Sequence, residues 1–263
     1  MKKMMKVLSL ALALVMTVSL LAACGSSGGD AEEKPEVKIG ITLYEPMNYK
    51  DENGELTGFE TEFATAVFEE LGMTPVFQEI NWDSKVMEVN SKNINCIWNG
   101  MTATPEMAEA LTLSVPYVSN GQVIIIRSEN ADKYKTTADL ASAKLDAEAG
   151  SAGEATLQAD PELSKAEYTS VPKQVDALME VKAGAADACV LDLVLANAMV
   201  GKGDYSDLMM IPDLKLSEEQ YVVGFAKDDP LAEQVDGAIK TLYDNGKLAE
   251  LAEKYGLALI EQK

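Results

Sequence analysis

Apolar positions along the chain alternate between two rhythms. Short, nearly continuous apolar runs at residues 37–43, 75–80 and 94–98 predict strands, and the stretches 61–71 and 83–90 between them carry the three-to-four-residue repeat of helices. In the first helix Phe59, Phe63, Val67 and Leu71 form one stripe, Glu69 and Glu70 lie off it, and Gly72 follows as a stop. Those aromatics are therefore core. A Gly100-Met101-Thr102 loop is expected after the third strand. A second series repeats the logic: strands at 122–127, 144–147, 168–171 and 187–191, a loop Gly150-Ser151-Ala152-Gly153, and helices at 173–182 and 192–200. A strand at 221–227 and two amphipathic helices close the chain, with apolar stripes Leu231, Val235, Ile239, Leu242 and then Leu248, Leu251, Tyr255, punctuated by Gly246 and Gly256. Alternation of this kind is the signature of βαβ units. Two such units without a long linker imply two lobes in close contact, with a ligand cleft where strand carboxyl ends meet helix amino ends.

The first residues follow a different rule. Lys2, Lys3 and Lys6 precede an uncharged run at 7–23, which ends in Leu21-Ala22-Ala23-Cys24 and is followed by Gly25-Ser26-Ser27-Gly28-Gly29. A transmembrane helix needs about 20 apolar residues and does not normally stop at a small-small-Cys step, so the segment reads as a secretory signal. Leu-Ala-Ala-Cys is similar to the lipobox of bacterial lipoproteins. That resemblance implies a signal peptide at 1–23, lipid attachment at Cys24, a flexible tether over 24–35, and a folded part held at the outer face of the cell membrane. Two acyl chains suffice for stable anchoring, at about 0.8 kcal/mol per buried methylene.

Beyond residue 23 the chain carries 19 basic and 43 acidic side chains, a net charge of −24. A surface of that sign repels a phosphate backbone, which excludes nucleic acid as a partner. The chain has no histidine, which removes the usual metal clusters and the Ser-His and Cys-His catalytic devices; no cofactor or metal is expected. Cys96 and Cys189 sit in apolar strands, where buried free thiols are expected.

Several motifs then fall in order: Val37-Lys38-Ile39-Gly40 with Tyr44 and Pro46, Gly54-Glu55-Leu56-Thr57-Gly58-Phe59-Glu60, Gly100-Met101-Thr102-Ala103-Thr104-Pro105-Glu106, Ser114-Val115-Pro116-Tyr117, Asp187-Ala188-Cys189-Val190-Leu191-Asp192, and Asp244-Asn245-Gly246-Lys247-Leu248. Together they resemble the family 3 extracellular solute-binding proteins of bacterial amino acid importers, from Val37 to Gly256. The resemblance implies a two-lobed, type II periplasmic-binding-protein-like Venus flytrap. Lobe 1 would comprise 36–118 and 221–263, lobe 2 123–216, and the hinges 119–122 and 217–220. A monomer would trap a small amine-bearing solute, an amino acid or analogue, and hand it to an ABC permease and ATPase complex. Closure is a two-state switch driven by contacts the solute makes only in the closed form.

The same resemblance assigns site roles. Tyr44 and Trp82 sandwich the solute side chain; Asn99, Gly100 and Thr102 meet its backbone atoms; Ser151 and Ala152 offer N–H groups to a carboxylate; and Asp192 receives the α-ammonium group, a role compatible with capping the helix behind it. Glu60 reads as structural at a helix start. One position departs from the pattern: Met107 stands where the family carries the arginine that grips the ligand carboxylate, and Arg127, the chain's sole arginine, lies on a strand leading away from the cleft. Either the carboxylate is held by a rebuilt site, with Thr102, Ser151 or Lys173 as partners, or the solute lacks a conventional one. The resemblance implies an acidic residue near Thr42 for a cationic solute side chain; Thr42 and Leu43 are neutral and do not support one, although Glu45 and Glu60 leave it open. Two other functions fit the fold: a cyclohexadienyl-dehydratase-like enzyme using Glu106 or Glu154 as its acid, and a sensory module that presents its ligand to a membrane receptor.

Overall fold

The computed structural model describes residues 34–262, so the signal segment, Cys24 and most of the tether lie outside the described residues. Among the described residues no helix is long and apolar enough to cross a membrane.

Two sheets organise the chain. The first contains β1 (Glu36–Ile41), β4 (Thr74–Glu79), β5 (Cys96–Thr102), β6 (Thr112–Leu113), β7 (Val118–Asn120) and β13 (Glu219–Phe225), in the order β4-β1-β5-β13-β6 with β7 also paired to β13. β1 runs parallel to β4 and β5, whereas β13 returns antiparallel beside β5. A two-residue hairpin, β2 (Tyr49–Lys50) with β3 (Leu56–Thr57), precedes the first helix, α1 (Phe59–Glu70). Side chains alternate across β5. Cys96 and Trp98 join the core under α1, α7 (Leu231–Asp244) and α8 (Lys247–Tyr255), where Phe63 meets Trp98 edge-on at 5.1 Å. Ile97 and Met101 face the opposite way, onto a smaller cluster with Trp82 and Val89, built around α2 (Lys85–Asn90).

The second sheet has the order β10-β9-β11-β8-β12, from β8 (Gln122–Arg127), β9 (Lys144–Glu148), β10 (Glu167–Val171), β11 (Ala188–Asp192) and β12 (Leu208–Lys215). β9 is parallel to both β10 and β11, and β8 is antiparallel to β11 and β12. Ile124, Ile126, Leu145 and Val190 face one core; Val123, Ile125, Cys189 and Leu191 face the other. The strands are accompanied by α4 (Ala152–Ala159), α5 (Gln174–Ala183) and α6 (Leu193–Met199). Arg127 turns its guanidinium onto the end of α5, donating to the carbonyls of Val181 at 2.7 Å and Ala186 at 2.9 Å. It satisfies one carbonyl of the last helical turn and one of the loop that follows, and it does not line the cleft.

The chain passes between the sheets twice, at Gly121 between β7 and β8, and at 216–218 between β12 and β13. The two passages touch closely: a Cβ on Gly121 would lie 2.4 Å from the Ser217 carbonyl oxygen. Only glycine lets the backbones approach that far.

Several elements lie outside the sequence pattern, β12 among them, and the clearest departure is at β5. β5 does not stop at Trp98; it continues through Asn99, Gly100, Met101 and Thr102, because β13 supplies Tyr221 opposite Thr102 and Val222 opposite Met101. Gly100 takes φ +57 there and the register shifts between Val222 and Gly224, so the expected loop is a bulged strand. The helix α3 (Pro105–Ala110), capped by the Thr104 hydroxyl accepting from the Met107 N–H, follows directly.

Candidate functional site

The ends of β5, β9 and β11 converge on one cleft, lined by Trp82 and Lys85 from the α2 region, Asn99 to Thr102, Thr104, Glu106 and Met107 from the first sheet's side, and Glu148, Gly150 to Ala152, Ala155, Gln174 and Asp192 from the second. This is the carboxyl-end rule of open α/β sheets at work.

Asp192 closes β11 and is almost wholly buried. Its Oδ1 accepts from the amides of Asn120 at 2.7 Å and Gln122 at 2.6 Å, its Oδ2 accepts from the Gln174 amide, and its own N–H donates to Gln174 Oε1 at 3.0 Å. These contacts fix the carboxylate before any solute arrives. Burial raises its pKa to about 6, against the lowering effect of the three amides, with Glu219 adding repulsion. It does not cap α6 through its side chain; Asn120 Oδ1 accepts from the Val194 N–H at 3.2 Å instead.

Trp82 lines the cleft, only 6% exposed, with Lys85 Nζ 4.8 Å from its ring centroid. Lys85, buried too, donates across the cleft to the Gly150 carbonyl at 2.7 Å and back to the Trp82 carbonyl at 3.3 Å; burial lowers its pKa. Thr102 lines the cleft and donates to Glu219 Oε2 at 3.0 Å. Ser151 caps α4, its hydroxyl accepting from the Glu154 N–H at 3.0 Å; of the first-turn N–H groups, those of Ala152 and Gly153 have no intrahelical acceptor. Met107 lines the cleft and packs on the apolar cluster that holds Trp82.

Three expected contacts turn inward. Tyr44 is not in the cleft wall: it is 3% exposed, lies behind Gly100, and donates from its hydroxyl to the Tyr221 hydroxyl at 3.0 Å. Asn99 spends its amide on the β1 end, donating to the Thr42 hydroxyl at 2.8 Å while its oxygen accepts from the Thr42 N–H at 2.7 Å. The Gly100 N–H points away from the cleft, to both carboxylate oxygens of Glu60 at 2.9 Å. Glu60, further bound by Asn48 and Tyr117, is a buried hub under the cleft floor, and burial lifts its pKa to about 7. These residues form the floor's support. Lys173, a candidate carboxylate partner, pairs instead with Glu79 at 3.4 Å. Sequence reasoning passed over Lys85, Gln174 and Glu148. Glu148 had a usable signal, since it ends β9 just as Asp192 ends β11.

Comparison with known proteins decides the family. The family model for bacterial extracellular solute-binding proteins, family 3, matches residues 37–258. This chain belongs to that family. The chain is similar to the arginine-binding extracellular protein ArtP of Bacillus subtilis (strain 168), at 29% identity over 89% of this chain and 92% of ArtP. An ABC uptake transporter substrate-binding protein from Streptococcus pneumoniae with bound histidine is 32% identical, covering 84% of this chain and 92% of that one, with a TM-score of 0.76. The ancestral amino acid-binding protein AncCDT-1, a precursor of cyclohexadienyl dehydratase, is 29% identical over 84% of this chain and 95% of its own, also at 0.76. The fold is the two-lobed type II periplasmic-binding-protein architecture that the motifs implied, and the chain is a family 3 solute-binding protein.

Proposed function

We propose that the cleft binds an amino acid or a related amine-bearing solute, closing its lobes by rotation about the two passages at Gly121 and 216–218, and that the closed form is read by an ABC permease. The observation that carries this reading is Asp192, a buried carboxylate at a strand end, held by three amides and retaining one acceptor position on Oδ2 for a ligand N–H. The relatives support the solute class: ArtP is an arginine-binding protein and the S. pneumoniae protein holds histidine. Tyr44 acts indirectly, from beneath the floor that Asn99 and Gly100 line, while Trp82, Thr102, Met107, Ser151 and Ala152 face the solute. Cys24 carries the lipid that keeps the protein at the membrane's outer face, a role that rests on Leu21-Ala22-Ala23-Cys24 alone.

The enzyme reading loses one of its acids: Glu154 is engaged by the Gly150 N–H at 2.8 Å and by the Tyr168 and Ser170 hydroxyls, outside the cleft lining. The test is a thermal-shift screen of residues 25–263 against amino acids, amines, dicarboxylates and short peptides, since a solute that binds only the folded state raises its melting temperature. The reading expects shifts from amine-bearing solutes that Asp192→Asn abolishes. Shifts from dicarboxylates alone would refute it.

A further inference from the structure

Glu148 and Asp192 end neighbouring parallel strands, β9 and β11, and both line the cleft. Their hydrogen bonding differs. Asp192 is held on both oxygens, whereas Glu148, 3% exposed, has one oxygen, Oε1, that is buried with no hydrogen-bond partner. A buried acceptor without a donor is the exception in folded proteins and calls for an explanation in terms of what the site binds. The one cation in the cleft lining does not supply it: Lys85 donates to the carbonyls of Gly150 and Trp82. Three acids, Glu106, Glu148 and Asp192, therefore face the cleft against a single lysine.

We propose that Glu148 is a specificity-determining ligand residue: its Oε1 and the remaining acceptor position of Asp192 Oδ2 together receive one cationic nitrogen of the solute, an ammonium or guanidinium group, so that the cleft selects solutes bearing such a nitrogen over dicarboxylates. This rests on the solute-binding reading above and deepens it. Two carboxylates around one cation account for the one oxygen of a strand-end glutamate that the fold leaves without a partner, and they add to the cleft the negative charge that neutral Thr42 and Leu43 do not provide.

The titration of the site gives the proposal a signature. Burial, and then repulsion from Asp192, raise the Glu148 pKa to about 8, while Lys85 and the Gln174 amide pull it down and Asp176 adds a smaller upward push. At pH 7 the group is mostly protonated without a solute. A cation bound against it favours the ionised form, so binding expels a proton, and affinity rises with pH up to about 8 by as much as tenfold per unit.

Isothermal titration calorimetry of residues 25–263 tests this with four probes: L-glutamine, whose only cation is its α-ammonium; agmatine, which has an amine and a guanidinium but no carboxylate; L-arginine; and glutarate, which has no nitrogen. Measured at pH 7 in buffers of different ionisation enthalpy, binding of a nitrogen-bearing probe is expected to release close to one proton. Glu148→Gln, which keeps the shape, is expected to weaken that probe at least tenfold and to abolish the release, with an unchanged melting temperature. Loss with glutamine identifies the nitrogen as the α-ammonium; loss with arginine and agmatine but not with glutamine identifies it as the distal guanidinium. If amino acids bind and Glu148→Gln changes neither affinity nor proton release, the role of Glu148 is overturned and the solute-binding reading stands. If glutarate alone binds, or none of the four does, both fall.

Discussion

Gly100→Ala is expected to destabilise the protein well beyond an ordinary glycine substitution. Gly100 sits at φ +57, and a Cβ there would lie 2.1 Å from the Tyr44 hydroxyl oxygen and 2.9 Å from its Cζ. Tyr44 cannot easily retreat, because it is buried in the core and its hydroxyl is tied to Tyr221. The left-handed backbone costs an alanine about 1–2 kcal/mol, and forcing a methyl into a packed site costs about 1–3 kcal/mol more, for a total of about 2–5 kcal/mol. In a chain of this size each kcal/mol lowers the melting temperature by about 2–4 °C. Gly72→Ala is the control: φ is +68 and nothing lies within 4 Å of its Cβ, so it carries the backbone cost alone. Tyr44→Phe in the Gly100→Ala background removes the nearest atom and should return part of the loss. Urea unfolding of the three variants measures each increment. If Gly100→Ala is no worse than Gly72→Ala, or if Tyr44→Phe recovers nothing, Tyr44 does not stand behind Gly100 and the cleft-wall role returns to it.

Glu60→Ala would strand the Gly100 N–H, the Asn48 amide and the Tyr117 hydroxyl, and the loss is expected at about 3–5 kcal/mol in chemical unfolding. Burial raises the Glu60 pKa from 4.5 to about 7, so between those values the folded state holds a proton that the unfolded state has lost. Its contribution is full below about pH 4.5 and is lost as pH rises through about 7, a change of about 3 kcal/mol; Glu60→Gln should flatten that part of the stability profile. Cys96 and Cys189 are buried and free, and burial pushes both thiols up; neither should react with a thiol reagent at pH 8 until the protein is unfolded.

The alternation of strands and helices was legible because each element buries one face locally: the Phe59, Phe63, Val67 stripe of α1 and the apolar β8 run needed no partner to be recognised. What depended on distant partners was not. β5 reads as ending at Trp98 until β13, more than a hundred residues later, is seen to pair with it, and the inward turn of Asn99 and Gly100 toward Thr42 and Glu60 is a consequence of that pairing and of a carboxylate buried from α1. Asp192 was legible through the family resemblance, at the start of the helix expected over 192–200. Glu148 lies in the same way one residue beyond the strand expected at 144–147, but the resemblance assigned it no role. Lys85 carried no signal, because nothing local shows that Gly150 reaches it from the other sheet's side.

The most direct test of the account is a crystal structure of residues 25–263 with the solute that gives the largest thermal shift. The account predicts the solute between the two sheets, a cationic nitrogen within about 3.2 Å of Asp192 Oδ2, and Trp82 against its side chain. A solute bound outside this cleft, or one that turns a carboxylate toward Asp192, would contradict it.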